Sequence, residues 1–176
     1  MEDIEVREDP DDMTMEELMQ YCEDNPEPSI GAMTDSEIQE MYQTVFRLLN
    51  EKIFNNELPP IKICYFSQEE AIECFGHDFE DAAAFFRPDY IALGLDTFPQ
   101  YGITEEDVDN LFHELIHHYC YLHSIQDIVK GTQYHTEQFR DTVKKFGGRC
   151  EYLNEIYGYV DSGLPDALIS EIIAQI

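Results

Sequence analysis

The chain has 176 residues, which is enough for one domain with a hydrophobic core and a short appendage. It contains 38 Asp and Glu but only 10 Lys and Arg, and the resulting net charge of -28 argues against direct binding to nucleic acid or to an anionic membrane. Five scattered cysteines, and no apolar run near the length of a membrane span, favour a soluble protein in a reducing compartment, which we expect to be the cytoplasm.

Residues 1–35 form a separate acidic segment. They hold thirteen acids against the single base Arg7, together with three prolines. Such a composition buries too little apolar surface to fold alone, so we expect a mobile segment. The capping-box pattern from Thr14 to Glu17 predicts one short helix within it. The chain starts Met-Glu-Asp instead of with a basic and apolar leader, so no secretion signal is expected.

Residues 36–176 form the predicted folded domain. Apolar residues recur at spacings of three and four from Ile38 to Leu49, which predicts an amphipathic helix. Alternating residues over 61–66 predict a strand. The stretches 82–86 and 90–95 flank Arg87-Pro88-Asp89 and predict a β-hairpin.

Further along, the pattern becomes helical. Thr104 is a predicted N-cap, with Asp107 three residues later. The stripe expected to face the core consists of Val108, Leu111, Phe112, Leu115, Tyr119 and Leu122. We expect another helix over 135–146, ended by Gly147-Gly148, and an apolar terminal helix over 165–176. This order predicts an α+β fold with a short antiparallel or mixed sheet.

The segment His113-Glu114-Leu115-Ile116-His117 carries the chemistry. On a helix, two histidines four residues apart project from one face and can bind one zinc ion. The metal lowers the pKa of a bound water to about 7, and Glu114 is placed to take the proton of that water. The pattern therefore predicts a zinc hydrolase of the HExxH type, with one Zn²⁺ and Glu114 as the catalytic base.

The third ligand is open among three residues, because catalytic zinc normally has three protein ligands. His123 has metzincin-like spacing, but that pattern needs a glycine where Cys120 stands. If the helix continues, His123 lies about 15 Å from His113 along the axis. His135 is favoured, since it follows a turn and begins the next predicted helix. Glu137 is the carboxylate alternative.

The stretch from Ser36 to Gly148 resembles the SprT-like zinc metallopeptidase family. The shared features are the leading helix, Phe54-Asn55-Asn56-Glu57-Leu58-Pro59, the hairpin ending in Tyr90-Ile91-Ala92-Leu93, the histidine motif, His135-x3-Phe139 and Lys144-Lys145-Phe146-Gly147-Gly148. The resemblance implies a zincin-like domain in which His113, His117 and His135 bind zinc and Glu114 is the base. The chain departs from many members of the family because no cysteine-rich zinc ribbon follows the domain and because its net charge is strongly negative.

Two functions compete at this point. The first is an endopeptidase that hydrolyses peptide bonds in a protein or peptide substrate. Its strand over 90–95, if it lies at the sheet edge, would pair with the substrate backbone. The alternative is a catalytically silent, zinc-stabilised acidic module that binds a basic protein partner or imitates nucleic acid.

Overall fold

The α+β architecture predicted from the element order is present in the computed structural model, which describes residues 35–66, 84–94, 102–161 and 163–176. The described residues belong to one unit, Met33–Ile176, and contain four helices and two small sheets. Residues 1–34 of the acidic segment, with the short helix expected there, lie outside the described residues. None of the described helices has the length and apolar character needed to cross a bilayer.

The helices are α1 (Asp35–Lys52), α2 (Glu105–Leu122), α3 (Glu137–Lys145) and α4 (Asp166–Ile173). The strands are β1 (Lys62–Phe66), β2 (Ala84–Arg87), β3 (Tyr90–Gly94), β4 (Cys150–Asn154) and β5 (Gly158–Asp161).

The first sheet has the order β1-β3-β2. The predicted hairpin is confirmed, because β2 and β3 pair antiparallel, while β1 and β3 pair parallel. The condition set for substrate pairing by the strand over 90–95, an edge position, is not met in the described sheet, since β3 lies between the other two. Its consecutive buried residues Ile91, Ala92 and Leu93 suit a strand that is covered on both faces. The strand at the end of the described sheet next to α2 is therefore β2.

Helices α1 and α2 supply much of the core. The apolar stripe predicted for α1 is buried throughout, and the capping box of α2 is present, with Thr104 and Asp107 bonded reciprocally. Of the stripe predicted for α2, only Leu122 is exposed, because it lies in the last turn. From Leu111 to Cys120, α2 is buried on nearly all sides, since it contacts β2 and the other three helices.

The second sheet is the antiparallel hairpin of β4 and β5, which the sequence analysis did not predict. Only Cys150 of β4 is buried, so the strand has no apolar alternation to reveal it.

Helix α3, which precedes this sheet in the chain, begins later than expected. Thr136 is its N-cap and its hydroxyl accepts from the amides of Gln138 and Phe139, which leaves His135 outside α3. Gly147 ends this helix with a φ of 82°, as predicted.

The expected terminal helix is present as α4. Ile169 and Ile172 are fully buried, and Leu168 and Ile173 pack partly against the same core. The helix therefore packs on the domain, as the apolar composition of residues 165–176 indicated.

Candidate metal centre

Three histidines from two parts of the chain meet at one point. His113 and His117 lie one turn apart on α2, and His135 approaches from the segment before α3. The Nε2 atom of His117 lies 3.0 Å from that of His113 and 3.2 Å from that of His135. One ligand atom of each histidine lies within 4.8 Å of the others, so the cluster is close enough to hold a metal ion.

The donor set fits a metal ion on its chemistry. Zn–N bonds of about 2.0–2.1 Å in a tetrahedral site separate two nitrogens by about 3.3 Å, close to the distances between the imidazoles here. Lone pairs of three imidazoles turned toward one point repel each other unless a cation or a shared proton lies between them. Imidazole suits zinc, copper, iron and nickel, so the donor type by itself does not select among these metals.

Asp127 orients one of the candidate ligands. Its Oδ2 lies 2.6 Å from Nδ1 of His117, so that nitrogen donates its proton to the carboxylate and Nε2 keeps the lone pair for a metal. Burial by itself would raise the pKa of Asp127, but its interactions with His117, the hydrogen bond above all, outweigh it. With help from the backbone amides of Asp127 and Ile128, they lower the pKa, so the carboxylate stays ionised.

His135 is held by its backbone on both sides. Its amide donates to the carbonyl of Tyr157 at 2.9 Å, and the amide of Tyr159 donates to the carbonyl of His135 at 3.2 Å. On the other side, Ile128 pairs with His135 as an isolated antiparallel bridge. The unpredicted hairpin of β4 and β5 is therefore the element that places the third histidine.

A buried aromatic ring supports the three imidazoles. The centroid of Phe139 lies 5.1 Å from those of His113 and His117 and 4.2 Å from that of His135. Phe139 is fully buried on α3. Its ring forms an apolar floor that restricts the rotamers of the histidines.

The cluster lies in a cleft of about 850 Å³, which is within the usual range of ligand sites. Glu114 is a buried residue, 4% exposed, and also lines this cleft. The lining also includes β2 and its turn, residues 84–88, and residues 124–128 and 132–133 with Tyr157.

The two other candidate ligands lie apart from this cluster. Because α2 continues to Leu122, His123 is only its C-cap, and the ring of His123 packs 4.1 Å from that of Tyr119. Glu137 is exposed at the start of α3 and lies 3.9 Å from Arg140. Among the described residues, only the set of His113, His117 and His135 has ligand atoms close enough for a shared ion.

His118 lies next to the cluster but on another face of α2. It is buried, and its ring packs 5.5 Å from that of Phe86 on β2. Burial lowers its pKa, and the nearby carbonyl of Pro59 opposes this only in part. His118 is therefore a neutral packing residue between helix and sheet.

Sequence reasoning missed Asp127 as a partner of the cluster. It lies ten residues after His117 in an irregular loop, where no spacing rule connects the two residues. Comparison with family models, curated proteins and solved structures gave no match to this chain, so its function is argued from the geometry of the site.

Proposed function

We propose that the chain is a zinc-dependent endopeptidase of the HExxH type, as the resemblance to SprT-like metallopeptidases implies. His113, His117 and His135 would hold the metal. The observation that carries the proposal is that three imidazole nitrogens converge in an open cleft beside a buried carboxylate. Structural zinc sites normally use four protein ligands, whereas three ligands at the base of a cleft leave a position for water or substrate.

Glu114 is the proposed catalytic base. It follows His113 on α2 and lines the same cleft as the histidines. Bound zinc supplies a Lewis acid that makes water acidic near neutral pH. Glu114 accepts the proton as the water attacks the peptide carbonyl, and then donates it to the leaving amine. Asp127 keeps the proton on Nδ1 of His117 throughout.

The position of β2 in the lining of the cleft supports a polypeptide substrate. Residues 84–88 of β2 and its turn line it, and so does the loop over 124–128. Because β2 lies at one end of the described sheet, the backbone of an extended substrate would pair with it. This assigns to β2 the role that the sequence analysis had given to the strand over 90–95.

Replacing Glu114 with Gln tests the chemistry. The full chain is loaded with zinc and incubated with a reduced, alkylated protein that stays unfolded, and new N-termini are identified by mass spectrometry. We expect cleavage by the wild type, and zinc binding without cleavage by Glu114→Gln. Glu106→Gln is the matched control, because Glu106 is exposed on the first turn of the same helix. Equal cleavage by Glu114→Gln and the wild type would refute the mechanism.

Zinc content tests the ligand set independently of activity. We expect about one zinc per chain in the wild type and in His123→Ala, and loss of that zinc in His135→Ala. Both variants remove one imidazole, so the pair controls for general effects of that loss. Loss of zinc with His123→Ala alone would contradict the proposed set.

The charge of -28 favours a second candidate, a zinc-stabilised acidic module that captures a basic protein. This function predicts binding that weakens with salt and is unchanged in Glu114→Gln. Zinc-loaded protein that retains a basic test protein, yet cleaves no unfolded substrate, would support the module over the peptidase.

A further inference from the structure

Three large apolar side chains lie exposed around the cluster of histidines. Tyr121, Ile128 and Tyr157 are 55%, 40% and 42% exposed, and all three line the cleft. They come from α2, from the loop after it and from the hairpin of β4 and β5. We call these three residues the apolar rim. Exposed apolar groups that converge from separate elements on one site mark a surface that binds an apolar partner.

The rest of the lining combines apolar residues with the neutral polar residues Ser124, Gln126, Thr132 and Gln133. Phe86, Pro88, Ile125 and Val160 line the cleft as well. Arg87 is the one Lys or Arg among the described residues that line it. Its guanidinium lies 5.2 Å over the ring of Phe85 and donates to the carbonyl of Phe86, so it is engaged within its own hairpin.

The two carboxylates in the cleft also have assigned partners or roles. Asp127 accepts the proton of His117, and Glu114 is the proposed base. Neither is available to bind a charged side chain of a substrate. The lining that remains for substrate side chains has neutral polar groups and a larger apolar surface, which is aromatic and aliphatic.

Charge around the cleft disfavours acidic ligands. Asp89 is exposed beside Pro88 in the turn that lines the cleft, and Glu155 is exposed two residues before Tyr157. The chain as a whole carries a net charge of -28, which repels acidic segments and attracts basic ones.

We infer that the cleft selects extended polypeptide segments with large apolar side chains beside the target bond and basic residues in the flanks. The inference rests on the proposed function, because it assigns the occupant of the proposed active site. The apolar rim contacts the side chains next to the bond, and the acidic surroundings attract the flanks.

The test uses three synthetic peptides with the full-length, zinc-loaded protein. The first has a central Phe-Leu pair between Ser and Lys flanks, the second replaces the pair by Ser-Asn, and the third replaces Lys by Glu. We expect the first to have a kcat/KM at least about tenfold above the second, because a missing apolar group in such a pocket costs that much or more. The first should also exceed the third, because the acidic surroundings repel Glu flanks. Equal values for the three peptides would overturn the inference.

Variants of the rim identify the surface responsible. Tyr121→Ala and Tyr157→Ala should lower kcat/KM for the Phe-Leu peptide by about tenfold, with a much smaller effect on the Ser-Asn peptide. Ile156→Ala is the matched control, because Ile156 adjoins Tyr157 and is 69% exposed but does not line the cleft. An equal loss in Ile156→Ala would overturn the assignment to the rim.

Binding to the Glu114→Gln variant separates this inference from the proposed function. Fluorescence anisotropy of labelled peptides measures affinity without cleavage. Preferential binding of the Phe-Leu peptide, without cleavage by the wild type, would support the inference and refute the peptidase. Cleavage by the wild type without any preference in binding would support the peptidase and overturn the inference.

Discussion

Replacing Asp127 with Asn should weaken metal binding without unfolding the domain. The carboxylate of Asp127 accepts a 2.6 Å hydrogen bond from Nδ1 of His117, and the two side chains are only 18% and 11% exposed. The change keeps the size of the side chain but removes the charge that favours the proton on Nδ1. His117 then has a weaker preference for presenting the lone pair of Nε2 to the ion.

The expected loss is about 10–100-fold in metal affinity, the range found when the partner of a ligating histidine is removed. At about 1.4 kcal/mol for each factor of ten, this is about 1.4–2.8 kcal/mol. The net contribution of a hydrogen bond to a charged group, about 1.5–3 kcal/mol, agrees with that range. Low exposure of both partners keeps solvent screening small.

The assay is competition for zinc with a chromophoric chelator at fixed pH and ionic strength. Asp141→Asn is the matched control, because Asp141 is an exposed carboxylate bonded to Arg140 and is not part of the cluster. It removes the same unit of charge and should change affinity less than twofold, which is within the range of surface effects. Equal affinities of the two variants would refute the role assigned to Asp127.

Three further predictions follow from the described contacts. Gly158→Ala should lower zinc affinity and stability, because the φ of Gly158 is 70° and an added Cβ would overlap the carbonyl oxygen of His135. Gly147→Ala is the control: its φ is 82° but an added Cβ would meet no neighbouring atom, so it should lower stability only. Thr104→Ala removes the capping box of α2 and should lower the free energy of unfolding in urea by about 1 kcal/mol, whereas an unchanged midpoint would contradict the cap. Burial raises the pKa of Cys120 to about 12, so roughly one thiol in ten thousand is ionised at pH 8. Cys120 should react with iodoacetamide only after unfolding, and labelling of the native protein would argue against its burial.

The local pattern of the sequence was sufficient for the helices. Spacings of three and four located α1, and Thr104 with Asp107 located the start of α2, because capping and amphipathic burial depend on residues close in the chain. Among the described cysteines, Cys64 and Cys120 carry free thiols, and Cys120 and Cys150 are buried. Cys22 and Cys74 lie outside the described residues.

Strand order could not be derived in the same way. The hairpin of β2 and β3 was visible from its turn, but which strand lies in the middle depends on the parallel pairing of β1 with β3, which is long-range. The hairpin of β4 and β5 gave no signal, since its exposed Tyr152 and Leu153 break the alternation that marks a half-buried strand.

The sequence by itself determined that His113 and His117 share one face of a helix, with Glu114 beside them, because helical geometry sets that relation within one turn. Only the tertiary structure decided the rest of the cluster. His135 reaches the other histidines because the backbone of Tyr157 and Tyr159 holds it in place, and Asp127 reaches His117 through a loop of no regular period. These contacts join residues far apart in the chain, so they exist only once the loop, α3 and the second hairpin have packed together.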